Sequence, residues 1–191
     1  MAITSLAREA IYECNLALAE CRTSVAGVLV EGNGESRLGS RAFSPGRRTY
    51  EYGLMRMMQI AEDASTVMLL RKRDEVAAKL GSNIGALWAL ADYRIDKWSG
   101  RKELWTALVP ALTFDGPSRW AELQAGAFVR NVLAHGGGTM NQSQLRDAGK
   151  QSQNLRKLGV SVVGHRLALS ADSVELCRNV VRDFVLWLDS R

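Results

Sequence analysis

Residues 118–138 read SRWAELQAGAFVRNVLAHGGG. Ser118 is a helix-capping residue type, and three consecutive glycines close the run. The stretch therefore predicts a helix that Ser118 caps and that runs to about His135, where Gly136, Gly137 and Gly138 stop it. At about 100° per residue, Ala121, Ala125, Phe128 and Val132 fall on one stripe, the expected core face. Leu123, Ala127 and Ala134 form a second, smaller apolar strip. Arg130 flanks that strip on one side, and the i,i+4 pair Asn131 and His135 flanks it on the other. A helix with two apolar faces needs two partners, so the segment belongs in a helical bundle.

The regions around it agree. Residues 4–31 carry Leu6, Ile11, Leu16, Leu18, Val25 and Val28 at helical spacing, with Thr4 or Ser5 available as a cap. Residues 32–48 hold Gly32, Gly34, Gly39, Pro45 and Gly46 and read as a polar loop. Residues 49–80 predict a second long helix ending at Gly81, packed antiparallel to the first. Shorter helices are expected over 83–97 and 100–112, around Trp88, Trp98 and Trp105, with Ser99 as a cap. Phe114–Pro117 is a turn. A polar helix follows over 143–157, then a β-hairpin over 160–169 that turns at Gly164 and His165. Ser170 caps a last helix with Val174, Cys177, Val181, Phe184 and Leu188 on one stripe. The expected fold class is all-α, a bundle with a minor β-hairpin near residues 160–169, in one domain spanning 1–191.

Composition narrows the function classes. Hydrophobic residues are 47% and charged residues 24%, the balance of a globular domain with a real core. Arg8, Glu9, Glu13, Glu20 and Arg22 interrupt the first apolar stretch, which excludes a signal peptide or membrane span there. A cytoplasmic protein is expected. The net charge of +5 permits a nucleic-acid partner without demanding one. Arg47, Arg48, Arg71, Lys72 and Arg73 are the candidate RNA contacts, and solvated helix faces account for the same clusters. Cys14, Cys21 and Cys177 are odd in number and lack CxxC spacing, so they read as core residues rather than disulfides or metal ligands. The glycines fit neither GxGxxG nor a P-loop. No cofactor and no metal are expected.

The chain has two histidines, and His165 sits in the expected hairpin turn. His135 closes the string Arg130-Asn131-Val132-Leu133-Ala134-His135-Gly136. This resembles the Arg-polar-x3-His signature of the HEPN superfamily of helical bundles. The resemblance implies a metal-independent endoribonuclease of toxin or antiphage-defence type, cutting single-stranded RNA or a tRNA loop. Its catalytic residues would be Arg130, Asn131 and His135, in a composite site at a homodimer interface formed by Leu123, Ala127 and Ala134. It further implies an antitoxin or a second defence subunit as partner. The chemistry suits those residue types. An imidazole moves protons near neutral pH, and a guanidinium offers forked donors to phosphate oxygens. The alternatives are a non-catalytic HEPN-like module that binds nucleotides, RNA or protein, and a purely structural helical domain. Glu62 and Asp63, mid-helix, read as buried or salt-bridging residues in preference to catalytic ones.

Overall fold

The computed structural model describes residues 3–31, 45–80, 95–109, 111–114 and 116–191. Helix α1 spans Ser5–Glu31 and α2 spans Pro45–Leu80. Helix α3, Trp98–Leu108, is followed by one 3₁₀ turn at Gly116–Ser118 and by α4, Trp120–Gly136. Two short helices, α5 (Gln142–Lys150) and α6 (Ser152–Lys157), lead to strands β1 (Ser161–Val163) and β2 (Arg166–Ala168). Helix α7, Ala171–Asp189, completes the order. The described residues are thus mostly helical with one two-stranded antiparallel sheet, as the sequence predicts.

The scaffold is the three-helix set α1, α2 and α7. Arg56 of α2 pairs with Glu13 and Glu20 of α1, and Cys21 lies against the Thr49 carbonyl, so the first two helices run antiparallel. Thr4 bonds Asp189 and Arg22 pairs with Glu175, which sets α7 antiparallel to α1. Of the large apolar residues the sequence singled out on α1, Leu18 is buried and Leu6 packs against the core. Leu16 reaches solvent, whereas Ala7, Ala10, Cys14, Ala17 and Cys21 are buried. Their alternating spacing of three and four is that of a coiled-coil seam. Small side chains there let three backbones approach. At the crossing, a Cβ on Gly53 would meet Cys21 and Val174 at 3.2–3.3 Å. Most of the large core residues come from the other two helices: Leu54, Met57, Met58 and Leu69 from α2, Phe184 and Leu188 from α7.

Several boundaries move. Helix α2 begins at Pro45, four residues before the expected start, because proline at a first helical position has its φ preset and loses no intrahelical bond. The expected helix over 143–157 is two, with Gln151 ending α5 and starting α6. Ser99 caps nothing; α3 starts from Lys97 without a side-chain cap. Residues 32–44 and 83–94, with Gly81 and Trp88, lie outside the described residues. The aromatic cluster is also different in membership. Trp98, Phe114, Trp120, Phe184 and Trp187 pack with ring centroids 4.9–6.2 Å apart, mostly edge to face, while the buried Trp105 stands outside that ring contact set. The hairpin pairs Val162 with Leu167, and the Ser170 cap forms a reciprocal box with Ser173.

Candidate functional site

Helix α4 is where the fold and the candidate chemistry meet. It packs on α2, α6 and α7 at once. Apolar residues therefore disappear around most of its circumference: Leu123, Ala125, Ala127, Val129, Val132 and Leu133 are all buried. This overturns the expected dimer strip in part. Leu123 is 0% exposed and belongs to the core of its own chain. Ala127 is buried too, against the wall of a cavity. Of the three, Ala134 alone faces solvent, whereas Ala121, expected in the core, is exposed.

Arg130 leaves α4 beside α2. Its Nη2 stands 3.6 Å from a Glu62 carboxylate oxygen and 3.5 Å from Gln59 Oε1, and its Nη1 is 3.4 Å from Asn131 Oδ1. These are long contacts, which orient a guanidinium without saturating its donors. Arg130 keeps 33% of its side-chain surface against 15% for Glu62. Glu62 is thus the ion-pairing residue the sequence suggested, and Asp63 accepts a hydrogen bond from Gln59. Behind them lies Arg101, 6% exposed. Its Nε donates to Thr66 at 3.2 Å, its guanidinium covers the Trp98 ring at 5.0 Å, and its buried Nη1 has no hydrogen-bond partner among the described residues. Burial lowers the pKa of Arg101, a shift opposed by Glu62, Asp96 and Asp63.

Arg130 and Asn131 border an open cavity of about 610 Å³. The cavity lies between α2, the start of α3, α4, and the α5–α6 corner. His135 is not on its wall. It is exposed in the last turn of α4. Gly137, at φ +53°, takes the left-handed conformation that ends the helix. The glycine loop is then fastened by the hairpin: the Leu167 amide donates to the Gly138 carbonyl (2.9 Å), and the Met140 amide to the His165 carbonyl (2.7 Å). The structure therefore brings Arg130 and Asn131 together and leaves His135 one turn on. His135 lies about 7.5 Å further along the axis from Arg130 and about 140° around it.

No family model matches this chain, and no curated protein or solved structure matches it either.

The basic clusters do not form one patch. Helix α2 works as a ruler at about 1.5 Å per residue, which puts Arg48 and Arg71 about 35 Å apart, on either side of Glu62. Arg47 pairs with Glu51 at 2.6 Å and packs its Nη2 against Gly138, so it braces the glycine loop. Lys72 bonds Glu75 and the Arg191 carbonyl, and Arg73 pairs with Asp74. Arg48 and Arg71 are exposed. Arg101 and the cavity residues Gln124, Gln151 and Asn154 were not legible beforehand. They come from four elements, and no spacing in the sequence joins them. No helix among the described residues is long and apolar enough to cross a membrane.

Proposed function

We propose that the chain is a metal-independent endoribonuclease of the HEPN type, acting on single-stranded RNA or a tRNA loop in a toxin or antiphage-defence role. The observation that carries this reading is the display on α4. Arg130 is oriented by Glu62 yet keeps free donors beside a cavity, and an exposed His135 closes the same helix. In this reading His135 takes the proton of an RNA 2′-hydroxyl. The 2′-oxygen attacks the adjacent phosphorus and the bond to the 5′-oxygen breaks. The imidazolium so formed returns a proton to that oxygen as it leaves, with a 2′,3′-cyclic phosphate on the other product. Arg130 stabilises the charge that builds on the phosphate oxygens, and Asn131 orients the guanidinium or the scissile phosphate.

Arg130 and His135 diverge around the helix, so a homodimer that brings two copies of the motif to one cleft completes the site. With Leu123 and Ala127 inside the chain, the contact narrows to the exposed turn around Asn131, Ala134 and His135. An antitoxin or a second defence subunit would cover the same turn.

The test is cleavage of RNA by the purified chain in EDTA, with analysis of the ends. The expected products carry 2′,3′-cyclic phosphates, and DNA is spared. His135→Ala should lose about 10²–10⁴-fold in rate with its fold intact. His165→Ala, in the hairpin turn, should stay active. Full activity in His135→Ala sinks the reading.

A second reading, a non-catalytic module that binds nucleotides or RNA, is favoured by one observation: the cavity excludes His135. RNA binding without cleavage by the wild-type chain is its signature.

A further inference from the structure

The charges on the cavity wall cancel. Arg130, Lys97 and Lys150 face Glu62, Asp96 and Asp147, and two of these pairs are in contact: Arg130 with Glu62 at 3.6 Å, and Lys150 with Asp147 at 3.2 Å. Such a wall is not built to trap a bare anion. What distinguishes it is neutral and planar. Four carboxamides line it, from Gln124 and Asn131 of α4, Gln151 at the α5–α6 corner and Asn154 of α6. Gln124, Gln151 and Asn154 make no side-chain hydrogen bond to any described residue, and Gln151 Oε1 is buried without a partner. Two half-buried aromatic rings, Trp98 and Phe128, complete the lining.

A carboxamide presents a donor and an acceptor side by side in one plane, which is the pattern on the edge of a nucleobase. Aromatic rings offer faces or edges to a base taken out of its stack. The volume, about 610 Å³, lies within the range of small-molecule sites. Arg130 stands at the same wall with donors to spare, where a phosphate attached to such a base would lie.

We propose that this cavity is a base-reading pocket for one unstacked nucleotide of an RNA strand, with Gln124, Gln151 and Asn154 meeting the base edge and Arg130 holding the adjoining phosphate. The inference rests on RNA as the ligand, as in the reading above, and not on cleavage. It adds sequence preference to that reading.

The experiment uses the full chain carrying His135→Ala, so that RNA survives the measurement. Fluorescence anisotropy is read with labelled 12-nucleotide rA, rC, rG and rU, and with the four nucleoside 5′-monophosphates as competitors. One homopolymer should bind better than the others. Gln151→Ala and Asn154→Ala should each erode that preference by about 5- to 150-fold. Both positions lie outside the core, and circular dichroism checks that the variants fold. Equal binding of all four homopolymers overturns the pocket, as does a preference that both variants retain. Competition by a monophosphate as strong as by the 12-mer also overturns it, because the site would then take a free nucleotide. Incubating the chain without the His135 substitution with the preferred homopolymer separates the two ideas. Preference without cleavage keeps the pocket and removes the ribonuclease. Cleavage without preference does the reverse.

Discussion

The two sides of α2 are built to different rules. Toward α1 and α7 it packs Gly53 against the Cys21 thiol and Val174 and buries Leu54, Met57 and Leu69 in the core, and the charged groups stay at the rim as ion pairs. Toward α3 and α4 it presents Gln59, Glu62, Asp63 and Thr66 to two arginines, one of them almost wholly buried. The first side gains from apolar burial, at roughly 25 cal/mol per Å² removed from water. The second spends part of that gain on holding polar groups in place. Polar atoms left half-satisfied in a wall are costly to stability and are characteristic of places that bind. The contrast separates the apolar seam that holds the helices together from the polar wall beside the cavity.

The largest expected effect tests the apolar core. Phe184 is fully buried at the centre of the aromatic cluster, so Phe184→Ala should cost about 3–5 kcal/mol, read from urea unfolding. Gln151→Ala on the cavity wall should stay within about 0.5 kcal/mol. Comparable losses at the two positions would erase the distinction.

The thiols give a second test. Burial pushes Cys14 and Cys177 from 9.0 up to about 12. A group whose folded pKa is raised adds stability that is complete below its unfolded value and is lost as pH rises toward the folded one. Alkaline destabilisation should therefore begin near pH 9 and grow toward pH 12. Replacing both cysteines with alanine should flatten that slope in melts taken at several pH values. In the native chain at pH 8 a water-soluble disulfide reagent should label neither; rapid labelling would show that the seam is wet.

A small loss is expected at the joint between the sides. A Cβ on Gly126 of α4 would sit 2.6 Å from Met58 Sδ of α2. Gly126→Ala should lose about 1–3 kcal/mol to overpacking and regain up to about 1 from helix propensity. A net cost near 1 kcal/mol should appear as a small fall in Tm. A rise would mean that α4 floats on the scaffold rather than bearing on it.

The two sides also differed in how far the sequence revealed them. Helix α7 was readable because its stripe is strict: Val174, Cys177, Val181, Phe184 and Leu188 are buried as their 3.6-residue period requires. The hairpin was readable from its turn and its alternation. Helix α4 was readable as a helix but not in phase. Apolar residues occur all around it, so the moment that would point toward the core is weak, and Leu123 was assigned outward when three neighbouring elements bury it. Arg130 with Asn131 stood out because the motif is local. The carboxamide wall did not, since it exists only once residues 124, 151 and 154 are brought together by tertiary contacts. Nothing local marks Arg101, because arginine is rarely found inside.

The tie between Thr4 and Asp189 has a consequence for biosynthesis. Ribosomes deliver a chain from its amino end, and the scaffold needs α1, α2 and α7 together. Until residue 189 has cleared the exit tunnel, the small-residue seam of α1 and the apolar face of α2 have no third helix to close them. The hairpin that fastens the glycine loop after His135 also emerges late. The helix that carries Arg130 and His135 is thus made before the elements that lock it in place.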